Sequence, residues 1–225
     1  MDEDGVLAAP LFAQIDSVAA RALLARMRPI ELTRGQVLFE EGDEGDTLYV
    51  IERGKMKLGR RSADGRENLL SLLGPSEMFG ELSLFDPGPR TATLTAVTDT
   101  TVFELAHDEI VQWIEAYPKV AKYLLESLSR RLRRTNDALA DLVFSDVPGR
   151  VAKALIELAK RFGEPVADGI RVGHDLTQEE LAQLVGASRE TVNKALADFT
   201  ARKWVRREGR AVVLIDMERL EGRTR

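Results

Sequence analysis

The run Phe79-Gly80-Glu81-Leu82-Ser83-Leu84-Phe85-Asp86-Pro87-Gly88-Pro89-Arg90-Thr91-Ala92-Thr93 sets one acid and one arginine nine positions apart across a turn rich in Gly and Pro. A carboxylate accepts hydrogen bonds from a sugar hydroxyl. An arginine presents a planar fork of donors that suits a phosphate better than the point charge of a lysine. Leu82, Leu84 and Phe85 between them are suited to anchoring the loop on a core, which turns backbone N–H groups toward an anion. A lone Glu and Arg at this distance would ordinarily mean a surface salt bridge. The length of the pattern, with a mechanical role for each residue type, points instead to a holder for a phosphorylated ribose.

The chain on either side supplies the frame. From Ile30 to Leu105 short alternating runs are cut by the turn signals Arg34-Gly35, Gly42-Asp43-Glu44-Gly45-Asp46, Arg53-Gly54, Asp64-Gly65 and Gly74-Pro75. Strands such as Thr47 to Ile51 and Asn68 to Leu73 fit between them, and Asp64-Gly65 is a hairpin signal. Many short strands with Gly-rich turns predict an antiparallel sandwich or barrel. Before it, Ala8 to Met27 carry Val18, Ala22, Leu23 and Met27 at helical spacing and predict short helices closed by Pro29.

Composition narrows the chemistry. The chain has 225 residues, 44% hydrophobic and 31% charged, as in globular proteins of one or two domains. No stretch approaches the roughly 18 uninterrupted apolar residues of a membrane span, and Met1-Asp2-Glu3-Asp4 has the wrong charge for a leader, so the cytoplasm is the expected compartment. The chain has no cysteine, which removes disulfides, thiolate metal sites and thiol redox chemistry. His107 and His174 stand far apart without a matching second ligand, so a surface or capping role is expected and no metal. No nucleophile–base pair emerges either, so no enzyme and no catalytic residue is expected. The net charge of −5 divides unevenly: residues from Pro148 onward carry 15 Lys+Arg and 12 Asp+Glu, a surplus of +3 against −8 for the remainder. A locally basic C-terminal part can meet phosphates while an acidic N-terminal part repels them.

A long helix follows Pro118. Ala121, Leu125, Leu128, Leu132, Thr135, Leu139 and Leu142 are spaced alternately by four and three residues, the seam of a helix that meets a partner helix. Leu124 and Tyr123 widen the apolar face near its start, where contact with the sheets is expected. Thr135 breaks the leucine pattern, with Asn136 beside it. Such a pair either fixes register or hydrogen-bonds a base carried in by the Gly80–Thr91 loop, and Arg131 one turn earlier also reaches that ligand. The neighbouring Arg130, Arg133 and Arg134 read as a solvated face. Ser145-Asp146-Val147-Pro148-Gly149 ends the helix, with Ser145 or Asp146 as the cap of a new one that buries Val151, Leu155, Leu158 and Phe162. So few residues make this joint a hinge.

Leu176 to Leu196 reads as helix, tight turn, helix. Thr177 and Glu180 form a capping box, Leu181, Leu184 and Val185 a buried face, Gly186 the turn, and Ser188 the cap of a second helix with Val192, Leu196 and Phe199 on one side. Arg189, Glu190, Asn193 and Lys194 lie opposite and suit base edges, Arg or Lys for guanine and Glu for the cytosine amine. Thr177, Gln178, Ser188 and Thr191 suit phosphates, which position without specifying. Trp204 to Arg207, the turn Glu208-Gly209-Arg210 and Ala211 to Ile215 form a hairpin, which completes a winged helix-turn-helix. The mixed-charge tail from Glu218 to Arg225 is expected to fray.

The loop resembles the phosphate-binding cassette of cyclic-nucleotide-binding domains. That resemblance implies that Gly80 and Glu81 take the ribose hydroxyl and Arg90 and Thr91 the cyclic phosphate, with Leu82 and Ser83 in the same ligand-binding set. In order, cassette, long helix, hinge and winged helix-turn-helix resemble the cyclic AMP receptor protein family over nearly the whole chain. The segments Asp146 to Arg150, Leu176 to Glu180 and Gly186 to Lys194 are especially similar to its actinobacterial branch. The resemblance implies an α+β fold: a β-roll or jelly-roll nucleotide-binding domain over 1–117, a dimerisation helix over 118–145 and a DNA-binding domain over 146–225. It further implies a homodimer on palindromic double-stranded DNA with TGTGA-like half-sites, read by Arg189, Glu190 and Lys194, with cyclic AMP as allosteric ligand and RNA polymerase as partner. The hydroxyl of Thr91 also suits the exocyclic amine of guanine, so cyclic GMP stays open. Two other readings stay open as well: a regulator independent of ligand, and one that senses a different small effector held by Arg90.

Overall fold

Alternation along the short runs places successive side chains on opposite faces of a sheet, and in this computed structural model that alternation builds two cores at once. The described residues are 7, 9–62, 65, 67–82, 86 and 88–224. The acidic start, Ala8, Asp64 of the hairpin signal, Ser83, Leu84, Phe85 and Pro87 of the cassette run, and Arg225 lie outside them.

Among the described residues of this part, eight strands form two four-stranded sheets. One contains β1 (Arg28–Leu32), β8 (Thr100–Ala106), β3 (Thr47–Arg53) and β6 (Met78–Phe79), in that order. The other contains β2 (Val37–Phe39), β7 (Thr93–Ala96), β4 (Met56–Arg61) and β5 (Glu67–Leu73), in that order. β1 and β3 both pair antiparallel with β8, and β2 and β4 with β7. In β3, Tyr49 and Ile51 join Met56, Leu58, Phe79, Leu94 and Val102 between the sheets. Leu48 and Val50, on its other face, join Phe103, Leu105, Trp113, Val120 and Leu124 under the helices. The strand is therefore apolar on both faces, which is why it reads as a continuous run.

Helix α1 (Ser17–Leu24) is capped by Asp16, whose Oδ1 accepts from the N–H groups of Val18 and Ala19 at 3.0 and 2.9 Å. Its buried side is Ala20, Leu23 and Leu24, with Met27 beyond, whereas Val18 is 77% exposed. The expected face through Val18 and Ala22 is thus rotated, because the cap starts the helix at Ser17 and turns Val18 outward. Helices α2 (His107–Ala116) and α3 (Pro118–Phe144) follow. Val120 and Leu124 are buried, and Tyr123 packs against the same core, as expected. The leucine seam is open: Leu125, Leu132, Leu139 and Leu142 are all more than half exposed.

The chain divides into two compact units, Met1–Arg60 with Ser71–Arg133 and Arg61–Leu70 with Arg134–Arg225. The second holds α4 (Val147–Phe162), β9 (Gly163–Val166), β10 (Gly169–Gly173), α5 (Gln178–Val185), α6 (Arg189–Ala201), β11 (Val205–Glu208), β12 (Ala211–Leu214) and α7 (Met217–Arg223). Its sheet runs β11-β12-β10-β9. The β9–β10 hairpin was not expected from sequence. It lies against neighbouring backbone with no room for side chains: a Cβ on Gly163 would sit 2.2 Å from the Ala159 carbonyl, and one on Gly169 2.1 Å from that of Leu214. The tail is a correction too. It is helical from Met217 to Arg223 and does not fray there. Asp216 caps it by accepting from the Arg219 N–H at 3.0 Å, and fully buried Leu220 gives it an apolar anchor on α4. Among the described residues no helix is long and apolar enough to cross a membrane.

Candidate functional sites

The turn after β6 is possible only with glycine. Gly80 has φ +87°, and a Cβ there would lie 2.5 Å from the Thr47 carbonyl and 2.9 Å from Arg90 Nη1. Gly45, in the turn before β3, leaves room for the same side chain: a Cβ would meet Arg90 Nε at 2.3 Å. These two glycines make a channel for one arginine. The Arg90 backbone is clamped by its N–H donating to the Asp43 carbonyl at 2.7 Å and its own carbonyl accepting from Gly42 at 2.9 Å. Its guanidinium donates from Nη2 to Thr47 O at 3.0 Å and from Nη1 to Gly80 O at 3.3 Å. The guanidinium carbon lies 4.5 Å from the centre of the Phe39 ring and 5.6 Å from that of Tyr49, which stacks on Phe79. Burial pushes the Tyr49 hydroxyl above its ordinary pKa, partly offset by the charge of Arg90.

Arg90 is 5% exposed and Glu81 3%. Glu81 Oε1 accepts from Arg131 Nη1 at 2.5 Å, while Arg131 itself stays about half exposed. Glu81 Oε2 and Arg90 Nε are both buried without a hydrogen-bond partner. Leaving a buried polar atom unsatisfied costs about 1–3 kcal/mol, more when it carries charge. Two such atoms, one acceptor and one donor, on residues nine positions apart in the chain, mark a place organised to meet something polar.

Gly80, Glu81, Arg90 and Arg131 are thus brought together in the first unit. Leu82 is exposed, with its carbonyl accepting from the Asp86 N–H at 3.0 Å, and Thr91 is exposed. Ser83 lies outside the described residues. Thr135 and Asn136 are exposed positions of α3 in the second unit. Sequence reasoning treated Gly42 to Asp46 as a turn and missed Gly45, Thr47, Phe39 and Tyr49 as the walls around Arg90. Nothing local in those residues announces the role, since it arises from packing across strands.

In the second unit the expected capping box is complete: Thr177 Oγ1 accepts from Glu180 N–H at 3.1 Å and Glu180 Oε2 accepts from Thr177 N–H at 2.8 Å. Gly186 ends α5 in the left-handed region at φ 63°. Ser188 caps α6, accepting from Thr191 N–H at 3.2 Å, and the two hydroxyls lie 2.8 Å apart. Thr177 and Gln178 are half-buried, whereas Ser188, Arg189, Glu190, Thr191 and Lys194 are exposed. Glu190 and Lys194 pair at 2.7 Å one turn apart. Asn193 is half-buried, with its Oδ1 buried and unpartnered. Buried His174 accepts at Nδ1 from the Leu176 N–H at 3.1 Å, which shapes the entry to α5.

One residue not singled out from sequence ties this unit together. Arg150 donates from Nε to Val185 O at 2.8 Å, from Nη2 to Gly186 O at 3.1 Å and from Nη1 to Ser145 O at 2.8 Å. A cation at the carbonyl end of α5 satisfies groups the helix cannot, and the same side chain holds the residue after α3.

Residues 29–117 match the family description Cyclic nucleotide-binding domain, and residues 149–223 match Crp-like helix-turn-helix domain. The chain is 55% identical over 223 residues to the CRP-like cAMP-activated global transcriptional regulator of Mycobacterium tuberculosis, across 99% of this chain and 100% of that one. It is 39% identical over 163 residues, 72% of each chain, to the cyclic AMP receptor protein of Thermus thermophilus. Among solved structures, the Thermus thermophilus catabolite activator protein aligns with a TM-score of 0.55 and 34% identity over 96% of this chain and 98% of that one. FixK2 from Bradyrhizobium japonicum, 21% identical, shares the fold with a TM-score of 0.78 over 87% and 96% of the two chains.

Proposed function

The chain belongs to the CRP-like family of cAMP-activated transcription regulators, and from that premise we propose that it is a homodimeric regulator whose grip on palindromic DNA is set by cyclic AMP. The observation that carries the ligand reading is the pair of buried, half-satisfied charges. Glu81 Oε2 is an acceptor suited to a ribose hydroxyl, and Arg90 Nε is a donor suited to the cyclic phosphate. A cyclic nucleotide offers both partners, so the residues fit it. Gly45 and Gly80 keep Cβ atoms off the guanidinium, and Thr91, Leu82 and Ser83 complete the set on this reading. Arg131, Thr135 and Asn136 receive the base.

The functional domains are 1–117 for nucleotide, 118–145 for dimerisation and 146–225 for DNA. The open stripe of Leu125, Leu132, Leu139 and Leu142 supports a second copy as partner, since a seam of leucines is stabilised when a like helix covers it. Arg189, Glu190, Asn193 and Lys194 read bases, while Thr177, Gln178, Ser188 and Thr191 hold phosphates. Two-fold symmetry then spaces the half-sites by roughly 34 Å. The protein works in the cytoplasm by binding alone, without a catalytic step, and engages RNA polymerase at its promoters. Nucleotide acts by favouring the DNA-competent population, and the coupling is reciprocal: DNA must tighten nucleotide by the same factor.

Calorimetric titration with cyclic AMP and cyclic GMP, with and without a duplex bearing two TGTGA half-sites, tests this. Cyclic AMP binding that tightens on the duplex is the expected result. Operator affinity that neither nucleotide moves would overturn the switch and leave a ligand-independent regulator.

A further inference from the structure

The joint between α3 and α4 is held from the far end of the chain. Asp146 Oδ1 accepts from the Gly149 N–H at 2.9 Å and so caps α4, while its Oδ2 is bound by the guanidinium of Arg223 in the last turn of α7. The approach is close: a Cβ on Gly149 would lie 3.0 Å from Asp146 Oδ1 and 3.2 Å from the Arg223 carbonyl. A side chain there would press on both groups, so glycine favours the close approach of α7 to the first turn of α4. Leu220, fully buried, seats α7 in that place. Arg150 from α4 holds the adjoining Ser145 carbonyl and reaches on to the end of α5.

The charged groups facing Asp146 are Arg223 from α7 and Arg150 from α4. With the Gly149 N–H they hold its carboxyl below the ordinary range, the Arg223 hydrogen bond contributing most. With one oxygen on the cap and the other on Arg223, the carboxylate links the first turn of α4 to the last turn of α7.

We propose that Arg223 is a positioning residue of the switch: by holding the carboxylate that caps α4, the C-terminal helix sets the conformation of the hinge through which nucleotide binding reaches the recognition helix. This rests on the regulator reading above. Among the described residues, the Arg223 guanidinium pairs with Asp146. Its effect is therefore on the coupling between ligands, defined as the ratio of operator affinities with and without cyclic AMP.

The test compares the full-length parent with Arg223→Ala, Arg223→Lys, Asp146→Asn and the double variant Arg223→Ala/Asp146→Asn. Nucleotide affinity is measured by calorimetry, operator affinity by fluorescence anisotropy and folding by thermal melting. Asparagine is as good a helix cap as aspartate, so Asp146→Asn removes the ion pair and keeps the helix start. An exposed ion pair has a free energy that translates to at most roughly fivefold. Arg223→Ala and Asp146→Asn should each lower the coupling ratio about two- to fivefold, the double variant no further, and Arg223→Lys should recover most of it. Nucleotide affinity without DNA should stay within about twofold of the parent, because the cassette lies in the other unit. A parental coupling ratio in both single variants, with nucleotide still bound, overturns the role of Arg223 and leaves the regulator reading standing. A parent whose operator affinity ignores nucleotide overturns that reading, and this inference with it. Should Arg223→Ala fail to fold, Asp146→Asn and Arg223→Lys decide on the same ratio.

Discussion

Replacing Arg90 with leucine removes the whole cationic fork from the centre of the proposed nucleotide site. Each charge-assisted hydrogen bond to a phosphate contributes about 1.5–3 kcal/mol. A fork of two therefore accounts for about 3–6 kcal/mol, or roughly 10²–10⁴ in affinity. Against the fold the change is milder, because opposing effects meet. The Thr47 and Gly80 carbonyls lose these donors and the contact over Phe39 disappears. In exchange, a buried charge with an unsatisfied Nε is gone, and swapping such a group for an apolar one often costs little. We expect melting to shift by no more than the equivalent of about 2 kcal/mol while cyclic AMP binding falls below calorimetric detection. Arg90→Lys keeps the charge without the planar fork and should lose about tenfold or more. Non-specific DNA binding should be unchanged in both. Cyclic AMP affinity within about threefold of the parent in folded Arg90→Leu would refute the assignment of the cassette.

Arg131→Ala leaves the Glu81 carboxylate buried without its cation; since Arg131 is half exposed, the loss is discounted to about 1–3 kcal/mol, readable as a lower urea midpoint. Gly186→Ala forces a side chain into the left-handed region at φ 63° and brings a Cβ to 2.8 Å from Leu142 Cδ2; the terminal methyl can move, so a cost of about 1–2 kcal/mol is expected in urea unfolding. Arg189→Ala should lose about 1–3 kcal/mol on the specific site and relax discrimination at one base position, whereas loss of a phosphate contact would act uniformly and flatten the salt dependence; competition assays with single-base variants separate the two. Asp146 is held below its ordinary value near 3.8, so its contribution to stability is complete above that value and is lost as pH falls through the lowered one. Asp146→Asn should therefore show a flatter acid limb in unfolding measured from pH 7 to pH 3.

Elements whose signals are local were legible in the sequence. The Thr177–Glu180 box, the Gly186 turn and the Ser188 cap each occupy a few consecutive residues, and each forms as read. The helix α3 and its exposed stripe of leucines were legible from spacing alone. The β9–β10 hairpin was not, because Gly169 is needed where the strand meets the Leu214 backbone far along the chain, and Gly163 where it leaves the Ala159 carbonyl at the end of α4. The tail was misread for a similar reason: one leucine among charges looks like solvent-exposed chain until α4 offers Leu220 a place. At the cassette, the residue types of Glu81 and Arg90 showed what chemistry to expect. Which of their oxygens and nitrogens remained unpaired depended on Arg131 and Thr47, and no spacing rule brings those into view.

The pairing of β1 with β8 has a consequence for how the chain acquires its shape. Arg28 meets Glu104 and Leu32 meets Thr100, so the first strand of the sandwich must wait for the last before its sheet can be completed. In the second unit the strand pairings span fewer residues, 44 positions at most between Ile170 and Leu214, although α7 closes back on α4 over a longer reach. Loop closure over many residues slows the search for native pairing, and chains rich in local contacts finish sooner. On release from denaturant, the part that reads DNA should regain its form before the part that senses nucleotide. A newly refolded molecule would for that interval hold a finished reading head without a working sensor.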